Sequence, residues 1–277
     1  MSSIGKMVRR SQATMFWCMQ GLPKAKREAI YTLYAFCRHI DNIIDSKLPE
    51  PEKIELLNAW QHELENIYDK KVPVSDIGRK IYKNCMRFKI KKADFSEILN
   101  SAMLDFPKPL QAPQYETFYK YCYGSYEIPA YITLQIMGCM EEPQMRELAK
   151  SLGRAIYITR VLKDIKDDAK ANHLYLPKEL LEKSDIFSTV PLTAVTDKNL
   201  ISVREQLARN ASADFSAAFN ILQKTDKKLT RPLMFILHIY KRYFDLMQNR
   251  GWEIISPKPL IKTRDKIVIA LNTIFKK

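Results

Sequence analysis

The chain has 277 residues, 46% of them hydrophobic, and a formal net charge of +14, which provides material for a large core and a surface that favours an anionic partner. Seven glycines, with no G-x-G-x-x-G and no Walker loop, leave the usual dinucleotide-binding and P-loop readings without support. Five cysteines without a C-x-x-C and four scattered histidines without an H-E-x-x-H supply neither a disulfide framework nor a zinc motif.

Taken in chain order, the sequence reads as helix nearly throughout. The basic stretch Met1 to Arg10 is followed by no apolar h-region, and no run approaches the length of a membrane span, so neither a signal peptide nor a transmembrane segment is expected. Pro23 to Asp45 places Ile30, Tyr34, Cys37, Asp41 and Ile44 at three-to-four spacing. Glu52 to Tyr68 repeats that period, and Ile77 to Met86 and Asp94 to Asp105 predict shorter helices. The proline-rich run Phe106 to Pro113 is a connector. Tyr115 to Met140 predicts a long aromatic helix kinked at Pro129. Pro143 opens the next helix, which runs to about Ala171. Pro177 breaks the pattern, and Ser184 to Thr196 reads as a loop with a short helix at most. Ile201 to Gln223, Arg231 to Asn249 and Leu260 to Phe275 complete the series, with Gly251 as a helix stop. With no useful β-alternation, no repeat and no linker, the expectation is one all-α domain over residues 1–277.

Two segments carry chemistry. In Phe36 to Asp45, Asp41 and Asp45 are four apart and share a helix face. An exposed i,i+4 acidic pair is ordinarily only a solvated face. This one continues the apolar stripe of Ile30, Tyr34 and Cys37, and inward-facing carboxylates need a partner or a metal. Asp164 and Asp168 repeat the spacing on a second long helix, with Lys163 and Lys166 nearby as donors for phosphate oxygens. Mg²⁺ takes one or two carboxylates together with water and substrate phosphates, an arrangement that two facing helices supply. The dense aromatics from Tyr115 to Tyr126 read as core, with only Tyr121 assigned to the site. Lys89 to Lys92 reads as a solvated face. The C-terminal amphipathic helix either packs or lies on a membrane.

These segments, in their order, resemble the squalene/phytoene synthase family over about Ala13 to Leu271. The run LPKAKREAIYTLYAFCRHIDNIID (Leu22 to Asp45) is similar to the family's first aspartate helix. MLDF (Met103 to Phe106) and YETFYKYCYG (Tyr115 to Gly124) resemble its middle helices, and LGRAIYITRVLKDIKDDAKANHLYLP (Leu152 to Pro177) its second aspartate signature. The tail from Ile239 to Ile255 looks most like presqualene diphosphate synthases of bacterial hopanoid pathways.

The resemblance implies an isoprenoid-synthase-type helical bundle around a central cavity. It implies a prenyl transferase that joins two prenyl diphosphates, farnesyl diphosphate being the expected substrate, to presqualene diphosphate or a related product. Asp41, Asp45, Asp164 and Asp168 match the metal-binding aspartates, with Asp41, Asp164 and Tyr121 assigned to catalysis. Thr14, Tyr34, Arg38, Arg160, Lys163 and Tyr240 match positions that bind substrate or line the site. The implied cofactor is Mg²⁺, with Mn²⁺ as a substitute, and NADPH is not expected for this half-reaction. The protein is expected to be a cytoplasmic monomer with peripheral contact at the inner membrane surface and no nucleic-acid partner.

The chain also departs from the family pattern. Tyr157 and Arg160 stand where Gln and Asn are usual, Tyr126 and Glu127 where small residues leave room for a prenyl tail, Gln114 and His173 where arginines are common, and Asn42 at the middle of the first motif. Two roles are open for Arg160: pairing with Asp164 in opposition to Mg²⁺, or holding diphosphate directly. A non-catalytic protein of the same fold that binds an isoprenoid or a protein partner is the alternative reading.

Overall fold

A computed structural model describes residues 19–275 except 70 and 139. Thr14 lies outside the described residues. Among those described there is no β-strand, and one isolated parallel bridge joins Gln111 to Leu174. The chain is all-α, as expected.

The first half opens with a 3₁₀ turn, Met19–Gly21, and α1, Lys24–Ile44. Helices α2, Glu50–Tyr68, α3, Asp76–Phe88, and α4, Lys92–Ala102, follow. Prolines stand at two starts, Pro23 as the N-cap of α1 and Pro51 in the first turn of α2, where a missing N–H costs no helical bond. Ser75 caps α3 by accepting from the Gly78 N–H at 2.8 Å. Buried Phe36 of α1 meets the Trp60 ring of α2 at 5.1 Å and the Phe95 ring of α4 at 5.2 Å, both edge-on. Its burial alone stabilises by about 1.5–3 kcal/mol, and it sets α1 with its aspartates against two neighbours.

A 3₁₀ turn, Met103–Asp105, leads through the expected connector to α5, Tyr115–Cys122. Instead of a helix kinked at Pro129, a π-helical turn, Tyr123–Glu127, separates α5 from α6, Ile128–Met137. The backbone stays helical from α5 through the π turn into α6, so the irregularity expected at Pro129 takes the form of a π turn immediately upstream of it.

Helix α7, Glu142–Lys170, is the 29-residue spine. It packs against α6, the π turn, α10 (Leu200–Gln223) and α11 (Lys227–Arg250). Between α7 and α10 stand two short helices, α8, Lys178–Lys183, and α9, Pro191–Ala194. Helix α11 begins before Pro232 rather than just ahead of it. The Thr230 N–H donates to the Asp226 carbonyl at 3.1 Å, so a turn has closed before the proline. Gly251, at φ +95, ends α11 in a conformation that suits glycine.

The last helix, α12, Thr263–Phe275, packs on α11 and leaves Ile267, Val268 and Leu271 exposed. No described helix is long and apolar enough to cross a membrane.

Candidate active site

Helices α1, α4, α5, α7 and α11 and the π turn surround a cavity of about 380 Å³, a size typical of small-molecule sites. Asp41, Asp45 and Arg38 reach it from α1, Arg160, Lys163 and Asp164 from α7, and Tyr240 from α11. Tyr121, Ser125 and Tyr126 line the middle, and Cys37, Asp105 and Tyr175 complete the polar wall. The fold therefore brings most of the expected site residues to one place. Tyr34 is different: it packs, partly buried, against the core outside the lining.

The two acidic pairs have unlike surroundings. Asp41 and Asp45 are accessible from the cavity mouth and make no ion pair within 4 Å among the described residues. Asp41 nevertheless sits among enough protein that burial, followed by the like charge of Asp45, pushes its carboxyl up to about 6. Arg38 and Arg160 pull it only partly back.

The second pair is held by cations. Lys163 donates to both carboxylate oxygens of Asp164, at 2.6 and 2.7 Å, and Lys258 stands 3.6 Å from the same residue. Lys166, expected as a phosphate donor, is exposed and outside the lining. Arg160 pairs with Asp168 at 3.4 Å, and its guanidinium lies 5.1 Å from the centre of the Tyr175 ring. Pairing of Arg160 with Asp164 is thus corrected to Asp168. Residues 160, 164 and 168 lie one turn apart in succession, but the cavity-side position next to Asp164 is already taken by Lys163.

The substituted positions also find places. Glu127 is outside the cavity lining, buried in an ion pair with Arg154 at 2.8 Å, so it takes no room from the cavity. Tyr157 is buried behind the lining and touches the rings of Phe118, Tyr121 and Tyr126 at 4.8, 5.9 and 5.1 Å between centres. Tyr126 does line the cavity. His173 donates toward Asp105 at 3.2 Å and stacks on Tyr175, whose hydroxyl donates to the same carboxylate. Asp105 also accepts the Leu110 N–H at 2.6 Å.

Asp105, Tyr126, Tyr175 and Lys258 are site residues that sequence reasoning did not assign. A lone acid in MLDF carries no periodic signal, and its partner Tyr175 is 70 positions away. Tyr126, expected only as a bulky residue in the tail space, instead forms part of the cavity wall. Tyr121 and Tyr126 are five apart, which diverges on an α-helix, but they share a wall across a π turn with its i→i+5 bonds.

The residues fit a divalent cation. The Asp168 Oδ2 atom is buried with no hydrogen-bond partner, and the Asp41–Asp45 repulsion is the field a cation relieves. Among the described residues no group of three or more acidic, His or Cys side chains converges as a ready metal cage. That donor set matches Mg²⁺, which completes its shell with water and substrate phosphate.

The site is thus a cavity in an all-helical bundle, flanked by paired aspartates on two helices with basic side chains among them. The squalene/phytoene synthase family model matches residues 8–265, and the chain belongs to that family. It is 29% identical over 263 residues to the presqualene diphosphate synthase of Rhodopseudomonas palustris, covering 94% of this chain and 92% of that protein. A dehydrosqualene synthase crystallised with a ligand superposes with a TM-score of 0.83 at 20% identity, covering 98% of this chain and 93% of that one. A squalene synthase from Alicyclobacillus acidocaldarius superposes with a TM-score of 0.78 at 18% identity, over 90% and 93% of the two chains.

Proposed function

We propose that the protein is a prenyl transferase that condenses two molecules of farnesyl diphosphate head to head to presqualene diphosphate. The observation that carries this reading is the convergence of Asp41, Asp45 and Asp164 on one cavity walled by tyrosines. The relatives named presqualene diphosphate synthase, matched over nearly the full chain, support it.

Asp41, Asp45, Asp164 and Asp168 would hold Mg²⁺ or Mn²⁺, which neutralises diphosphate and makes it a better leaving group. Arg38, Arg160 and Lys163 stand where they can donate to its oxygens. Departure of one diphosphate leaves an allylic cation. The double bond of the second prenyl chain attacks it, a proton is lost, and a cyclopropylcarbinyl diphosphate results, without a reductant.

The wall must stabilise the cation without trapping it. Tyr121, Tyr126, Tyr175 and Tyr240 line the cavity, and aromatic rings can stabilise a cation. Burial pushes the hydroxyls of all four upward, so they stay protonated. The Cys37 thiol is likewise pushed up, by burial and then by Asp41. No phenolate or thiolate is therefore present to capture the cation.

The test is diphosphate release from farnesyl diphosphate with Mg²⁺ and without NADPH, in the native protein and in Asp41→Ala and Asp164→Ala. Release that is lost in both variants supports the reading. The Arg160–Asp168 pair favours one alternative, a protein that binds a prenyl diphosphate without turning it over. Saturable binding with no release would establish that alternative.

A further inference from the structure

The two acidic pairs differ in what already neutralises them. On α1, Asp41 and Asp45 face the cavity with no cation within ion-pairing distance among the described residues. On α7, two carboxylates face three cations: Lys163 and Lys258 at Asp164, and Arg160 at Asp168. Lys163 and Asp164 are each more than four-fifths shielded from solvent, with 17% and 18% of their side chains exposed, so their pairing is only weakly screened.

Lys258 is half-exposed, but its segment is held in place. It also pairs with Asp167 at 2.7 Å and sits in the segment between α11 and α12. Arginines clamp that segment. The fully buried Arg204 of α10 donates to the carbonyls of Trp252 and Ile254, and Arg250 of α11 to those of Ile254 and Pro257. The strap so fixed places a cation over the end of α7 that carries the second pair.

A divalent ion approaching Asp164 or Asp168 must displace a fixed cation or share a carboxylate with it. One approaching Asp41 and Asp45 meets two carboxylates that no described cation pairs with, Arg38 and Arg160 acting on Asp41 only from beyond ion-pairing distance. We propose that metal loading is asymmetric: the Asp41–Asp45 pair takes a divalent ion on its own, and Arg160, Lys163 and Lys258 keep the second pair closed until a diphosphate anion draws them away. The inference rests on the reading of this cavity as a metal–diphosphate site. Arg160 and Lys258 thereby become positioning residues that make the second half of the site depend on substrate.

The test is a Mn²⁺ titration of the full chain without any diphosphate, read from the electron paramagnetic resonance signal of free Mn²⁺. One bound ion is expected. Its affinity should fall about tenfold or more in Asp41→Asn and stay near the native value in Asp168→Asn. Arg160→Gln should gain a second ion, a gain that misfolding cannot mimic. Circular dichroism checks that the Asp41→Asn loss is not unfolding. No binding up to millimolar Mn²⁺, two equivalent ions in the native chain, equal losses from both pairs, or no gain in Arg160→Gln would each overturn the proposal. The transferase reading is tested separately. One ion at Asp41–Asp45 with no turnover of prenyl diphosphate would sink that reading and leave the asymmetry standing.

Discussion

Gly153→Ala tests the close approach of α7 to the π turn. Gly153 lies mid-way along α7, where an added Cβ would stand 2.8 Å from both the Cα and the N of Glu127. Ordinary carbon contacts need about 3.5–4.0 Å, so the π turn would have to retreat by about 1 Å. Its backbone cannot rotate aside as a side chain does, which places the overpacking cost toward the upper end of about 1–3 kcal/mol. Helix propensity acts the other way, favouring Ala over Gly by about 1 kcal/mol. The clash should win by about 1–2 kcal/mol, lowering the Tm by about 2–8 °C for a chain of this size. Thermal and urea unfolding followed by circular dichroism reads the effect. A Tm at or above the native value would refute the reasoning, because propensity would then have prevailed and α7 would not press on the π turn.

Tyr157→Phe removes a buried hydroxyl that has no hydrogen-bond partner while keeping the ring contacts. The variant should be as stable as the native protein or more so by about 1 kcal/mol, and a lower urea midpoint would contradict this. Glu127→Ala strands Arg154 and should cost about 3 kcal/mol. In Glu127→Gln, which keeps the shape, the loss should be smaller in the same unfolding assay. Because Asp41 titrates near 6, above the ordinary carboxylate value, its stabilising contribution is present at about pH 4 and is lost as pH rises through 6. Asp41→Asn should therefore raise the Tm at pH 7.5 and leave it unchanged at pH 4, whereas an equal gain at both pH values would contradict the cause assigned.

The sequence made the frame of this site legible where its signals were local and periodic. Asp41 with Asp45 and Asp164 with Asp168 could be read because spacing of four on an α-helix fixes a common face. The helices that carry them begin at prolines, Pro23 for α1 and Pro143 for α7. What escaped depended on contacts distant in sequence or on departures from the α period. Lys258 reaches the second pair only because Arg204 and Arg250 fold its segment back onto α7. Glu127 looked like an intrusion into the cavity, yet the π turn rotates it toward Arg154 and rotates Tyr126 inward. A charge at a tail-facing position could not be seen as harmless until its partner, 27 positions on, was located.

Coupling of two prenyl chains fixes a stoichiometry that can be measured. The protein would be supplied with farnesyl diphosphate and Mg²⁺ without a reductant, substrate and released diphosphate counted, and the product identified by mass spectrometry. One diphosphate should be released for every two substrate molecules consumed, with presqualene diphosphate as the product. One diphosphate per substrate with farnesol as the product, or substrate bound but unconsumed, would contradict it.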